Sequence, residues 1–204
     1  MRLPSILLLG FAMSAFGGAG SADYHNVFGP FTSPAPTTQL SPRHGPREGI
    51  DAVRRWNEIA INASGLDHTP VAPGENRVFG EQLGPCRAAR AMAIVHIAMF
   101  DAVNALVGEY ESYTGVRAPA GPMSLYAAAG QAAHDTLAAL FPSQAPKFDT
   151  ALNHDLGLLN NDKAKANGIQ LGKTAAAGTL ALRANDGSQH TEPRLNVDFF
   201  TSND

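Results

Sequence analysis

The 204-residue chain has little cysteine, little charge and few strand-forming residues. Cys86 is its one cysteine, which excludes an intramolecular disulfide framework and a cysteine-based zinc site. Between Pro85 and Arg87 it reads as a small, partly buried apolar residue. Charged residues make up 16% and the formal net charge is −3, so nothing points to a nucleic-acid or anionic-membrane partner. The chain holds 9 Val and 7 Ile against 34 Ala. Alanine is the best helix former and the β-branched pair favour strands, which argues against an all-β or parallel-sheet fold. Familiar catalytic signatures are missing too: there is no phosphate-binding glycine loop, no His-Glu-x-x-His and no nucleophile elbow. No two of the seven histidines stand three or four apart on a helix, so none has the spacing of a metal-binding pair. His134-Asp135 and His154-Asp155 look alike, but adjacent residues point to different helix faces, and both pairs read as solvated surface.

What is present is alanine-rich helical pattern. Arg2, the apolar stretch Leu3 to Met13 and the small residues Gly20-Ser21-Ala22 read as an export signal over 1–22. The apolar run is too short to span a membrane, which needs roughly 20 apolar residues. Residues 23–48 carry Pro30, Pro34, Pro36, Pro42 and Pro46 and read as an extended linker or arm. Five helices follow at 3.6-residue periodicity. The first spans 49–64, with Val53, Trp56, Asn57, Ala60 and Ser64 on one stripe. After a loop over 65–84 comes the most apolar, 86–107, expected to be buried at the centre of an all-α helical bundle. The third, 123–140, has Leu125, Ala129, Ala132, Thr136, Leu137 and Leu140 on one side and Gln131, His134 and Asp135 on the other. Pro142 stops it, and Ser143 can cap the fourth, 144–159, striped by Phe148, Leu152, Leu156 and Leu159. Asp162 can cap the fifth, 163–185. There Gly168, Leu171, Gly172, Ala175, Thr179 and Leu182 share a face suited to close packing. Residues 188–204 show no helical pattern. Asn62-Ala63-Ser64 is a glycosylation sequon, relevant only in a host that modifies exported chains.

The polar residues of the 86–107 helix are the candidate site residues. Arg90, His96, Asp101 and Asn104 interrupt an otherwise apolar run, and a buried charge is costly unless paired. Arg90 and Asp101 share a face but sit roughly 16 Å apart along the axis, so each needs another partner. Asp101 and Asn104 are one turn apart and can act together on a neighbouring backbone. One reading makes these residues support for an active site. The favoured one makes them satisfied core groups, His96 among them, that fix the helix in place. The charges inside the run argue against a membrane span.

Four segments resemble the vanadium-dependent haloperoxidase-related proteins, members of the type 2 phosphatidic acid phosphatase superfamily. ARAMAIVHIAMFDAVNAL (89–106) is similar to the family's signature helix, and RRWNEIAINA (54–63) to its opening Trp-Asn helix. AAAGQAAHDTLAALFPSQAPKFDTAL (127–152) and KANGIQLGKTAAAGTLALRANDGS (165–188) resemble the helices that follow. The match runs over roughly 49–200 in the family's order. It implies an all-helical fold and, in the family's C-terminal half, a vanadate or phosphate site. There a Lys, an Arg-Pro element, a Pro-Ser-Gly-His motif and a later Arg with a second His surround the oxyanion. None of these motifs is in this chain: Pro142-Ser143 is followed by Gln144, and there is no Arg-Pro or Gly-His. No catalytic, cofactor-binding or metal residue carries over.

The expectation is therefore an exported chain whose 49–204 portion is the helical N-terminal half of a haloperoxidase-like domain. Vanadate is the cofactor of the intact family member only. The same scaffold in a superfamily phosphatase is one alternative, and a non-catalytic exported helical binding module is another. A bundle lacking its second half is expected to be marginally stable or to self-associate, with the Gly168/Gly172 face as a candidate contact.

Overall fold

A computed structural model describes residues 46–160, 162–190 and 197. The signal expected over 1–22, the arm up to residue 45 and nearly all of the chain after 190 lie outside the described residues. Among those described there are five α-helices and no strand: α1 (Pro46–Asp67), α2 (Pro85–Val107), α3 (Leu125–Leu140), α4 (Ala145–Gly157) and α5 (Lys163–Arg183). A short 3-10 turn, Pro142–Gln144, joins α3 to α4. This is the all-α helical bundle that composition and periodicity indicate.

The helix ends show which local signals act. α1 starts at Pro46, three residues before the expected 49, and proline's missing N–H costs nothing in a first turn. Asp162 caps α5 as expected, accepting from the Lys165 amide at 3.0 Å. Ser124 caps α3 in the same way, through the Ala127 amide at 3.1 Å. Ser143 does not cap α4. It lies in the 3-10 turn, and its amide and hydroxyl donate to Glu81 at 3.0 and 2.7 Å. Gln144, at the start of α4, donates its side-chain amide to the Ala63 carbonyl of α1 at 3.0 Å.

The centre of the bundle is α3, not α2. α3 packs against each of the other four helices, and eleven of its sixteen residues are buried, Gln131 among them. The physical reason is size. Ala127 to Ala133 contains only small residues apart from Gln131, so neighbouring helices can close on α3 from several sides. α2 owes its hydropathy to larger side chains and buries one face, leaving Ala89 and Ala93 exposed. It is long and apolar enough to cross a membrane by length and composition. Its buried face is nonetheless part of both cores. One core joins α1, α2, α3 and α4 around Trp56, Ile94, Met99, Leu137, Phe141 and Phe148. The other joins α2, α3 and α5 around Ala98, Ala102, Ala132 and Leu171.

α3 and α5 approach each other closely. A Cβ built on Gly168 would stand 2.5 Å from the Ser124 carbonyl oxygen, and one on Gly172 2.5 Å from that of Ala128. The small-residue face of α5 thus packs tightly on a neighbour, as its spacing suggests. The neighbour is α3 of the same chain, so this face is not a contact for self-association. The face ends at Thr179; Leu182, expected on it, is 57% exposed. Cys86 is exposed rather than partly buried.

The 68–84 connection is long but tightly braced. Asp67, fully buried, accepts from the Glu81 and Gln82 amides at 2.7 and 2.9 Å. The Arg77 guanidinium donates to the Leu66, Thr69 and Pro70 carbonyls and pairs with Glu75 at 2.9 Å. It thereby satisfies carbonyls at and just beyond the C-terminus of α1, which the helix itself leaves without partners.

Candidate functional site

The four polar residues of α2 go to three different places. Asp101 is fully buried. Its carboxylate accepts from the Tyr113 and Thr114 amides at 2.9 Å each and from the Thr114 hydroxyl at 2.6 Å. One turn on, the Asn104 side chain clasps Tyr110, donating to its carbonyl at 2.7 Å and accepting from its amide at 3.0 Å. The two residues therefore act together on a neighbouring backbone, that of the loop following α2. Gly108 ends the helix with φ +71°, a left-handed conformation that glycine adopts without strain, and turns the chain back toward them.

Arg90 lies at the other end of α2. Its guanidinium donates to Asp186 at 2.7 Å and to the Arg183 carbonyl at 3.0 Å, tying α2 to the end of α5. The Arg90 hydrogen bond holds the Asp186 carboxyl down to a pKa of about 2. His96 faces α1 and bonds the Asn57 side chain at 3.0 Å. Arg90, His96 and the Asp101–Asn104 pair are thus three separate braces.

A second polar cluster gathers where α1, α3 and α4 meet, and it corrects the reading of His134 as solvated surface. The His134 side chain is only 13% exposed. One ring nitrogen bonds Asp135 at 2.7 Å and the other bonds Asp149 of α4 at 2.8 Å. Gln131 donates to the same Asp135 oxygen at 2.7 Å, and the ring meets Trp56 edge to face at 6.4 Å. The hydrogen bond to Asp135, with that to Asp149, raises the His134 pKa against the opposing effect of burial. Trp56 Nε1 is buried against Gly130 and has no hydrogen-bond partner among the described residues.

Asp155, further along α4, makes a separate tie to α1. It is buried, and the Arg55 Nε donates to both its oxygens at 2.7 and 2.8 Å. That bond raises the Arg55 pKa. Burial, then the Asp155 charge, pushes the Tyr126 hydroxyl up. His154 touches the same carboxylate at 3.2 Å but stays 64% exposed, so for this pair the surface reading is right for the histidine and wrong for the aspartate.

Chemically, these are ties rather than a reacting centre. Vanadate needs several cations and donors aimed at one point. Arg55, Arg77 and Arg90 are each turned onto a carboxylate or carbonyls, and both nitrogens of His134 are held by carboxylates. These residues do not fit the oxyanion, and no catalytic step is routed through them. Among the described residues no group of three His, Cys, Asp or Glu side chains is placed to hold a metal ion. Asp67, Gln144, Asp155 and the His134–Asp149 link were not singled out from sequence. The only local signal was the Gln131/Asp135 spacing of four; the remaining partners lie a helix away. Compared with family models, with curated proteins and with solved structures, the chain gives no match.

Proposed function

We propose that this chain is the helical scaffold half of a haloperoxidase-related domain of the type 2 phosphatidic acid phosphatase superfamily, exported by a signal at 1–22. One observation supports this most. The four resembling segments fall on α1, on α2, across α3 and α4, and on α5. Their polar residues are engaged in bracing loops and pairing helices. A scaffold that positions a separate site needs this rigidity. The resemblance implies that the intact domain binds vanadate and uses peroxide to oxidise halide, with the oxyanion held by residues other than these 204. A superfamily phosphatase would use the same scaffold, and the fold alone does not separate the two activities.

Two measurements test the proposal. The purified chain is expected to show no vanadate- and halide-dependent peroxidase activity and no hydrolysis of p-nitrophenyl phosphate. Reading the coding frame beyond codon 204 is expected to find a Pro-Ser-Gly-His motif. Either activity in the 204-residue chain would overturn the assignment. A frame without the motif would favour the exported binding module.

A further inference from the structure

The loop after α2 is held from inside and exposed outside. Five hydrogen bonds with the Asp101 and Asn104 side chains fix Tyr110, Tyr113 and Thr114. Ser112 and the left-handed Gly115 (φ +71°) close its far end through a 3.0 Å bond, and Thr114 rests against Gly178 of α5. The outer side chains form a different set. Tyr110 and Tyr113 are 49% and 63% exposed, and both rings lean on Phe100 with centroids 6.1 and 5.9 Å away. Glu109 and Glu111 alternate with Tyr110 along the loop, Glu109 half-buried and Glu111 exposed. Their carboxylates and the two tyrosine hydroxyls have no partner among the described residues.

A buried aspartate and asparagine in the most apolar helix are a costly way to order a loop, and the gain is conformational: a surface already ordered loses less freedom on binding. The exposed chemistry is specific as well. Tyrosines offer broad, rigid contact area and electron-rich faces that attract cations, and the flanking carboxylates add negative charge beside them. We propose that the 108–115 loop is a preformed docking surface for a cationic polypeptide segment. Arginine or lysine side chains lie on Tyr110 and Tyr113 and pair with Glu109 and Glu111. This stands independently of the scaffold assignment, because it rests on this loop alone.

The test is calorimetric titration of the full chain with a hexa-arginine peptide, with hexa-glutamate and cellohexaose as the other probes. Saturable binding of hexa-arginine alone is expected, weakening as salt is raised. Tyr113→Ala and Glu111→Gln should each weaken it about tenfold; Glu111→Gln should leave the melting temperature unchanged, while Tyr113→Ala also gives up the contact with Phe100 and should lower it slightly. Tyr113→Phe, which keeps the ring, should bind like the parent. Absence of saturable hexa-arginine binding overturns the proposal. So does binding that survives Tyr113→Ala and Glu111→Gln together, which would assign it to general charge. Binding of cellohexaose in its place would make the tyrosines a sugar platform and overturn it too.

Discussion

Asp101 shows how a buried carboxylate is made tolerable. Three donors converge on it, and each would be left unpaired inside the protein if it were removed. Asp101→Ala should therefore destabilise the fold by about 2–4 kcal/mol, measured by urea denaturation, whereas Glu111→Gln on the same loop should change stability by less than about 0.5 kcal/mol. That Asp101 and Arg90 required partners was legible from the apolar run around them. Which partners was not. Asp186 lies 96 residues from Arg90, and no local spacing encodes such a pairing. His134 was legible only as a helix residue, because its second carboxylate comes from another helix, fifteen residues away. Its raised pKa fixes a sign. The protonated ring bridges Asp135 and Asp149, so its contribution is complete below about pH 6.5, the ordinary histidine value, and is lost as pH rises through the higher folded value. The parent should lose stability from pH 6 toward pH 9 more steeply than His134→Gln, by chemical denaturation at each pH. Equal slopes would place His134 outside this linkage.

Between elements, side-chain size decides more than hydropathy. The most apolar helix was expected at the centre, yet the alanine-rich α3 occupies it, because a helix without bulk can be approached from several sides. Periodicity identified the packed face of α5 down to its glycines. It could not tell whether the face met a helix of the same chain or of another. Glycine substitutions separate packing from intrinsic helix preference. Alanine is favoured over glycine in a helix by about 1 kcal/mol, so Gly65→Ala in α1, with nothing within 4 Å of its new Cβ, should stabilise by about 0.4–1 kcal/mol. Gly172→Ala places its Cβ 2.5 Å from a backbone oxygen and should destabilise by about 1–3 kcal/mol despite the same preference. Melting temperatures of the two variants moving in the same direction would contradict the α3–α5 contact.

At the scale of the whole chain, the two cores share α2 and α3, so the helices should unfold together. Trp56 is the only tryptophan and sits in the first core beside His134. Its fluorescence and far-ultraviolet dichroism should trace one coincident urea transition; separate midpoints would mean that the α2/α3/α5 core melts on its own. The all-α bundle and the order of its helices were legible from alanine content and apolar spacing, because these are local properties. The function was not, because the polar residues that stood out are structural ties whose meaning depends on partners far along the chain. The scaffold assignment can be tested most directly by titrating the purified 204-residue chain with orthovanadate and following the vanadium NMR signal of the free anion. The scaffold assignment predicts a signal unchanged by equimolar protein, with no saturable broadening. Stoichiometric, saturable loss of the free-anion signal, reversed by phosphate, would contradict it.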